Sequence, residues 1–355
     1  MIISVVVMLV MGVPIGISIG MSSALAMITI LPFGPGIVTC AQKMFTGVNS
    51  FSLLAIPFFI LAGNIMNNGG IAIRLVNCAR LISGRLPGSL AQTNIVANML
   101  FGAISGSGTA AAAAIGGTMA PIELEEGYDK DYVAAVNIAS APTGQLIPPS
   151  NTLIVYATVA GSVSVAALFM AGYIPGIAWG ISLMFIAGYM AKKRGYVSTF
   201  SVTPKEAIKV LWDALPSLLL IIIVIGGILK GVFTATEGSA IAVVYALILS
   251  LCYRSLKIKD LPSIILSSCK TTCIVIFMIG VSSIMSWVMA YTMIPTAIAN
   301  AMLSLSSNKY VILLLMNVIL LVVGTFMDPT PAVLIFTPIF LPLSLIHISE
   351  PTRPY

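Results

Sequence analysis

The sequence predicts an all-α protein that crosses a membrane several times, and its composition is the first reason. Of its 355 residues 59% are hydrophobic and only 8% are charged, and the mean hydropathy is +1.08. Soluble domains are about 25% charged, so a soluble fold is excluded. A helix crosses hydrocarbon with about 20 apolar residues, and the sequence contains many such runs. The alternating pattern of a membrane β-barrel does not appear.

Apolar stretches follow one another along the whole chain, and we expect them to form the membrane helices. The first is too long and uninterrupted for a cleaved signal sequence, and we expect a span that is broken at Gly12 to Pro14. The stretches cover residues 1–31, 53–66, 91–122, 133–160, 163–191, 214–233, 237–253, 263–291, 309–325 and 331–346.

The net charge of +6 comes from short basic clusters between apolar stretches, around residues 74–85, 192–209 and 254–259. This is the positive-inside pattern of a multi-pass protein, and no nucleic-acid surface is expected. Two spans separate the second cluster from the third, which places both on the cytoplasmic side. The first cluster joins them if residues 91–122 form a re-entrant hairpin that does not cross the bilayer.

Three interruptions carry the polar chemistry. Residues 102–108 contain three glycines and two serines, which suits a hairpin tip or, alternatively, a helix-packing seam. Residues 143–151 contain Pro148 and Pro149, which remove two amide donors and must open the helix, whereas a simple kink would need only one proline. Asp328 has apolar sequence on both sides, so it marks an ion path at membrane depth or a loop at the surface.

The two halves of the chain share an order of elements. A shift of about 222 residues carries 53–66 onto 275–288, an arm at 68–90 onto 290–312, and the glycine-interrupted stretch onto 324–332. Charge counting puts the two arms on opposite faces. The sequence therefore predicts an inverted repeat of broken helices, with the first repeat in 1–200 and a second, incomplete repeat in 201–342.

Six segments together resemble the large membrane subunit of TRAP (tripartite ATP-independent periplasmic) transporters. They are 55–64 (AIPFFILAGN), 86–91 (LPGSLA), 105–107 (SGS), 146–150 (LIPPS), 233–237 (FTATE) and 326–330 (FMDPT). The resemblance runs from near the start to about Pro342. It implies an elevator-type carrier with two opposed hairpins in the bacterial cell inner membrane. It also implies sodium coupling without another cofactor, a small four-helix membrane subunit, a periplasmic binding protein and a small carboxylate such as a dicarboxylate as substrate.

Under that resemblance, the interruptions supply the sites. Hairpin tips offer carbonyl and hydroxyl oxygens to sodium, and helix N-termini attract a substrate carboxylate. Substrate contacts are expected from Thr109 and Thr330. Sodium contacts are expected from Ser105, Gly106, Ser107, Thr143, Gly144, Pro148, Ser150, Asn151 and Asp328.

The C-terminal end departs from the family pattern. Residues 343–355 (LSLIHISEPTRPY) look like translated sequencing adapter, so we expect a non-native tail, and the single histidine, His347, carries no functional argument. The repeat arithmetic predicts that roughly 70 residues of a second broken helix and a last span are missing, so uptake by this chain is not expected. The first span is also expected to be slightly short.

Other classes fit the sequence less well. An enzyme would need a nucleophile with a base or metal ligands, and the acidic residues Glu123 to Asp131 are expected in a solvated loop. Cys269 and Cys273 could pair on a metal, but without other ligands they are expected to be apolar residues of a buried helix. A channel would favour a symmetric oligomer. The nearest alternative is a divalent-anion sodium symporter of the same broad superfamily that needs no binding protein.

Overall fold

The computed structural model describes residues 1–161, 163–196, 203–306, 308–325, 327 and 329–344, and the regular structure in these ranges is helical. The first half contains α1 Ile2–Val10, α2 Ile15–Ile30, α3 Phe33–Val48, α4 Ala55–Asn68, α5 Ile71–Ser83, α6 Ser89–Ser105, α7 Gly108–Glu125, α8 Lys130–Ser140, α9 Thr143–Leu146, α10 Asn151–Ala160 and α11 Val165–Arg194. The second half contains α12 Pro204–Leu229, α13 Ala235–Cys252, α14 Leu261–Tyr291, α15 Ile294–Leu305, α16 Lys309–Gly324 and α17 Pro329–Ser344.

Several helices are long and apolar enough to cross a membrane. Within the described ranges these are Phe51–Asn68, Val165–Arg194, Pro204–Leu229, Ala235–Cys252 and Ile258–Tyr291, and shorter apolar helices accompany them. This confirms the prediction of an all-α, multi-pass membrane protein. The predicted break near the N-terminus is also confirmed, because α1 ends at Val10 and α2 begins at Ile15.

Helix α3 lies outside the predicted apolar stretches. It begins after Pro32 and carries Gly34, Pro35 and Lys43 among apolar residues. Phe33, Ile37, Val38 and Phe45 are exposed, which is typical of a helix with one apolar face rather than of a uniformly apolar span. Its mixed composition explains why a search for continuous apolar runs misses it.

The described residues form two compact units, each assembled from separate segments. Unit 1 draws on Met1–Leu53, Val155–Ser162 and Thr271–Tyr355, and unit 2 draws on Leu54–Ile154 and Val163–Lys270. Neither unit coincides with a predicted repeat, so the division at residue 200 stays a prediction. The helix bounds keep the predicted spacing, however: a shift of 222 residues carries Ile71–Ser83 onto 293–305, where α15 is Ile294–Leu305.

Unit 1 has a methionine-rich apolar core. Its buried residues come from α2, α14, α15, α16 and α17, and α15 packs on α17. Methionine fills irregular gaps between helices without a fixed shape. The buried members are Ile19, Val281, Met285, Met289, Met302, Ile312, Ile339 and Phe340.

Unit 2 is built around α6. This helix packs on α5, α7, α8, α9 and α11, and it buries most of its residues. Beside α6, α4 packs along α13, and Asn64 Nδ2 donates to Ser268 Oγ at 2.8 Å. Because α6 is surrounded, its polar side chains Gln92, Asn94 and Asn98 need partners inside the protein.

Two predictions about side-chain burial are wrong. Cys269 and Cys273 are exposed on α14, where the neighbouring Leu266, Ile274 and Phe277 are exposed as well, so this face is apolar and directed outwards. Glu123 was expected in a solvated loop, but it is fully buried at 0% exposure. It lies in the last turn of α7, which turns its side chain towards α6, whereas Glu125 and Glu126 are exposed.

Candidate ion and substrate site

The turn between α6 and α7 is tight and needs glycine. Helix α6 ends at Ser105, and Gly106 adopts a left-handed conformation with φ +63°. A Cβ at Gly106 would lie 2.7 Å from the Pro149 carbonyl oxygen, so both the backbone conformation and the space exclude a side chain. Ser107 caps α7, since its Oγ accepts from Ala110 N–H at 3.3 Å. Two helices joined by a tight turn therefore cover residues 91–122, and the re-entrant course of this segment stays a prediction.

The predicted break at residues 143–151 is also present. Helix α8 ends at Ser140, the single turn α9 covers Thr143–Leu146, and α10 begins at Asn151. Pro148 and Pro149 occupy the gap, where no helical amide donor is required. Ser150, which is fully buried, accepts from Leu153 N–H at 3.3 Å and donates to the Gln145 carbonyl oxygen. Ser150 therefore caps the helix that restarts at Asn151.

The turn and the break meet. Asn151 N–H donates to the Gly106 carbonyl oxygen at 3.2 Å. Gly102 and Gly144 lie backbone to backbone, because a Cβ on Gly102 would stand 2.0 Å from the Gly144 Cα. A Cβ on Gly108 would meet the Ala141 carbonyl oxygen at 3.1 Å. Two segments that lie about forty residues apart in the sequence therefore form one polar locus inside unit 2.

This locus is rich in oxygen atoms and has no charged side chain. Ser105 and Thr143 are buried, and Thr143 Oγ1 donates to the Ser140 carbonyl oxygen at 2.6 Å. The side-chain oxygen of Asn151 is buried without a hydrogen-bond partner among the described residues. Neither 102–111 nor 141–151 contains Asp, Glu, Lys or Arg. Any charge bound here would be stabilised by carbonyl dipoles, hydroxyl groups and helix termini.

Two helix N-termini point into the same place. Helices α7 and α10 both begin here, after Ser107 and Ser150. Their first amide groups carry a partial positive charge that favours an anion. Ser107 Oγ and Thr109 Oγ1 lie 3.1 Å apart, and Thr109 is exposed. The exposed hydroxyl group of Thr109 gives an anion access to the start of α7.

The structure places the predicted site residues in three groups. Eight of the predicted sodium ligands lie in the first half, and Thr109 lies beside them at the start of α7. Thr330 lies in the first turn of α17, in unit 1. Asp328 lies outside the described residues, as does most of the predicted tail. The residues brought together are Ser105, Gly106, Ser107, Thr143, Gly144, Pro148, Ser150 and Asn151. Pro148 is included because the carbonyl oxygen of the next residue, Pro149, lies against Gly106.

A polar chain that the sequence did not reveal leads away from this locus. Asn98 Nδ2 donates to Asn94 Oδ1 at 2.8 Å and to Ser140 Oγ at 2.9 Å. Asn94 Nδ2 in turn lies 3.4 Å from both carboxylate oxygens of Glu123. The i, i+4 spacing of Asn94 and Asn98 on α6 was the available signal, since two asparagines on one helix face in an apolar run need buried partners.

Interrupted helices that gather polar atoms inside a multi-pass helical protein are typical of membrane transport proteins. Comparison with known sequences makes this class specific. The model of the family described as "Tripartite ATP-independent periplasmic transporter, DctM component" matches residues 2–347, and the chain belongs to this family. By that description, its members are one component of a three-part transporter.

Individual relatives agree with the family. The chain is 53% identical to uncharacterized protein YgiK of Salmonella typhimurium, over 95% of this chain and 78% of the relative. It is 40% identical to the isethionate TRAP transporter permease protein DctMQ of Oleidesulfovibrio alaskensis, over 95% of this chain and 53% of that longer protein. It is 37% identical to the sialic acid TRAP transporter large permease protein SiaM of Vibrio cholerae, over 94% of this chain and 78% of the relative.

Proposed function

We propose that this chain is the large transmembrane subunit of a sodium-coupled transporter that imports small organic acids across the inner membrane of a bacterium. A periplasmic binding protein delivers the substrate, and a small four-helix membrane subunit completes the complex. Family membership supports the general class. The single observation that supports a specific site is the contact of the α6–α7 turn with the 141–150 break, through Asn151 N–H and the Gly106 carbonyl oxygen.

Sodium binds to oxygen atoms, and the locus offers them without a fixed negative charge. Ser105, Gly106 and Ser107 supply oxygens from the turn, and Thr143 and Gly144 supply them from the break. Pro148, Ser150 and Asn151 complete the first-half set, and Asp328 is the sodium ligand proposed from the second half. An ion that binds among neutral dipoles is released more easily than one bound by several carboxylates, as alternating access requires.

The substrate anion binds at the helix N-termini beside Thr109, which donates its hydroxyl group, and Thr330 is the substrate residue proposed for unit 1. Sialic acid and isethionate, the substrates in the names of two relatives, are both small hydroxylated anions. A sodium ion about 6 Å from such an anion attracts it by about 3 kcal/mol at an effective dielectric constant near 20. Each of the two, sodium and the anion, therefore raises the affinity for the other by about 100-fold. This coupling links the import of the anion to the sodium gradient through an elevator-type movement.

The alternative, a symporter that works without a binding protein, predicts a different result in a transport experiment. Uptake is measured in proteoliposomes that contain the full-length large subunit, the small subunit and a binding protein, with sialic acid and succinate as probes. We expect uptake that needs both an inward sodium gradient and the binding protein. Equal uptake without sodium would refute the coupling, and equal uptake without the binding protein would favour the alternative.

The site itself is tested without knowledge of the substrate. Binding of radioactive ²²Na⁺ to the purified chain is compared for the native sequence, Ser107→Ala and Thr118→Ala. Thr118 is the control, because it lies on the same helix and donates only to the Ala114 carbonyl oxygen. We expect Ser107→Ala to weaken sodium binding about tenfold and Thr118→Ala to leave it unchanged. Equal binding by all three would exclude the turn as the sodium site.

A further inference from the structure

A carboxyl group is buried in the last turn of α7, around Glu123, away from the candidate sodium site. We call this C-terminal end of the helix the base of α7. Glu123 has no exposed surface, although the chain turns polar within three residues and Glu125 and Glu126 are exposed. It lies outside the candidate membrane spans. Burial of an ionised carboxylate is costly unless a cation or several hydrogen-bond donors accompany it.

The partners of Glu123 compensate a negative charge poorly. Its hydrogen bonds come from the Asn94 amide, which lies 3.4 Å from each carboxylate oxygen. These contacts are long compared with the 2.7–2.9 Å of a charge-assisted bond. Among the described residues Glu123 forms no ion pair. Burial raises the pKa of Glu123 from 4.5 to about 7, although the hydrogen bond from Asn94 acts in the opposite direction.

The other titratable groups around Glu123 come from few elements. Helix α7 packs on α4, α5, α6, α8 and α9, and α4, α6 and α9 carry no titratable residue. Tyr128 and Tyr132 face the carboxylate; burial is the largest cause of the raised pKa of both, and the charge of Glu123 adds to it. Helix α5 and the end of α7 contribute Cys78, Arg80, Glu125 and Glu126, of which Arg80 and Glu126 line a small cavity with Tyr128.

The carboxyl group is connected to the helix break by buried side chains. Asn98 Nδ2 contacts Asn94 Oδ1 and Ser140 Oγ, at 2.8 and 2.9 Å. The Ser140 carbonyl oxygen accepts from Thr143 Oγ1 at 2.6 Å. The four residues from Asn94 to Thr143 are all 0% exposed. A change in the hydrogen bonding of Glu123 therefore has a continuous path to the segment that begins the break.

We propose that the base of α7 is a proton-binding site of the transporter, in which Glu123 takes up one proton from water and Asn94 orients the carboxyl group. One O–H bond forms on the carboxylate as one O–H bond of a hydronium ion breaks, and the negative charge of the carboxylate disappears. The neutral group can then donate a hydrogen bond as well as accept one, so Asn94 and Asn98 reorient. The position of Thr143 follows, and with it the oxygen atoms offered at the break.

The proton site is tested on the purified full chain by infrared spectroscopy, which detects the C=O stretch of a protonated carboxyl group as the pH changes. We expect a band with a midpoint near pH 7 that is absent in Glu123→Gln and retained in the matched control Glu125→Gln. Exposed carboxyl groups titrate near pH 4. A band that appears only below pH 5 in the native chain, or one with a midpoint near pH 7 that survives Glu123→Gln, would overturn the proposal.

A second variant keeps the test decisive if Glu123→Gln does not fold. Asn94→Ala removes the donors that favour the ionised form, so the midpoint of the same band should rise by about half a pH unit or more. An unchanged or lower midpoint would contradict the role of Asn94. Neither measurement requires sodium or substrate, so both stand even if the proposed transport function fails.

The connection to the break rests on the proposed sodium site and has its own experiment. The dissociation constant of ²²Na⁺ is measured at pH 6 and pH 8 for the native chain and Asn98→Ala. We expect a difference between the two pH values of at least threefold in the native chain and none in Asn98→Ala, which keeps the infrared band. A pH effect that survives Asn98→Ala would refute the path, whereas absence of any sodium binding would instead refute the proposed function.

Discussion

The contact between Gly102 and Gly144 gives the sharpest test of the site, because it joins the two segments backbone to backbone. In Gly102→Ala the new methyl group would lie 2.0 Å from the Gly144 Cα and 2.9 Å from its nitrogen. Carbon atoms pack at about 3.5–4.0 Å, so α6 and α9 must separate by about 1.5 Å. No rotamer relieves the clash, since both sides are backbone.

The expected cost follows from that displacement. Overpacking a well-packed interior costs about 1–3 kcal/mol and occasionally more, and the contact with backbone places this variant at the upper end. In a chain of this size, about 3 kcal/mol lowers the Tm by about 4 °C. The separation also moves Gly106 away from Asn151, so sodium affinity should fall at least tenfold.

The assay is thermal unfolding of the purified chain, together with ²²Na⁺ binding below the Tm. Gly117→Ala is the matched control, because a Cβ at this helical position meets nothing within 4 Å. This control should be neutral or more stable by about 0.5–1 kcal/mol, as expected for alanine in a helix. If Gly102→Ala behaved like Gly117→Ala in both measurements, the close approach of turn and break would be refuted.

Further predictions concern the same unit. Between pH 4.5 and about 7 the folded chain holds a proton on Glu123 that the unfolded chain has released. The free energy of unfolding therefore falls as the pH rises through this window. The difference between the two pKa values corresponds to about 3 kcal/mol at most. Glu123→Gln should remove this decline and be more stable than the native chain at pH 8, and Glu125→Gln should keep the decline, as followed by Tm against pH. Ser107→Ala loses the cap of α7 and should lower stability by about 1 kcal/mol, whereas Ser107→Asn keeps a capping oxygen and should restore most of the Tm. An equal Tm for both Ser107 variants would show that the cap does not stabilise the turn.

The interruptions of the helices could be predicted from the sequence because they are local. Gly106 ends α6 since only glycine adopts its backbone conformation without strain, and Pro148 and Pro149 end a helix wherever they occur. The apolar runs likewise determine that the chain crosses a membrane. These features depend on residues within a few positions of one another, so no knowledge of the fold was needed.

Burial is not local, and here sequence reasoning failed. Glu123 sits among Glu125, Glu126 and Asp129, and composition alone predicts solvent for all of them. The side chain of Glu123 is buried because α7 packs against α6, where the Asn94 amide donates to the Glu123 carboxylate. The exposure of Cys269 and Cys273 is the opposite case, in which an apolar face of α14 has no partner among the residues that the structure describes.

The sequence by itself determined the membrane class, the places where helices break and the family resemblance, because each depends on composition or on short motifs in order. Only the tertiary structure decided that the turn at Gly106 meets the break before Asn151, and that a buried amide chain joins Glu123 to Thr143. These contacts link residues about forty positions apart. Their energy comes from packing and from paired buried polar groups, neither of which is visible until the helices are placed side by side.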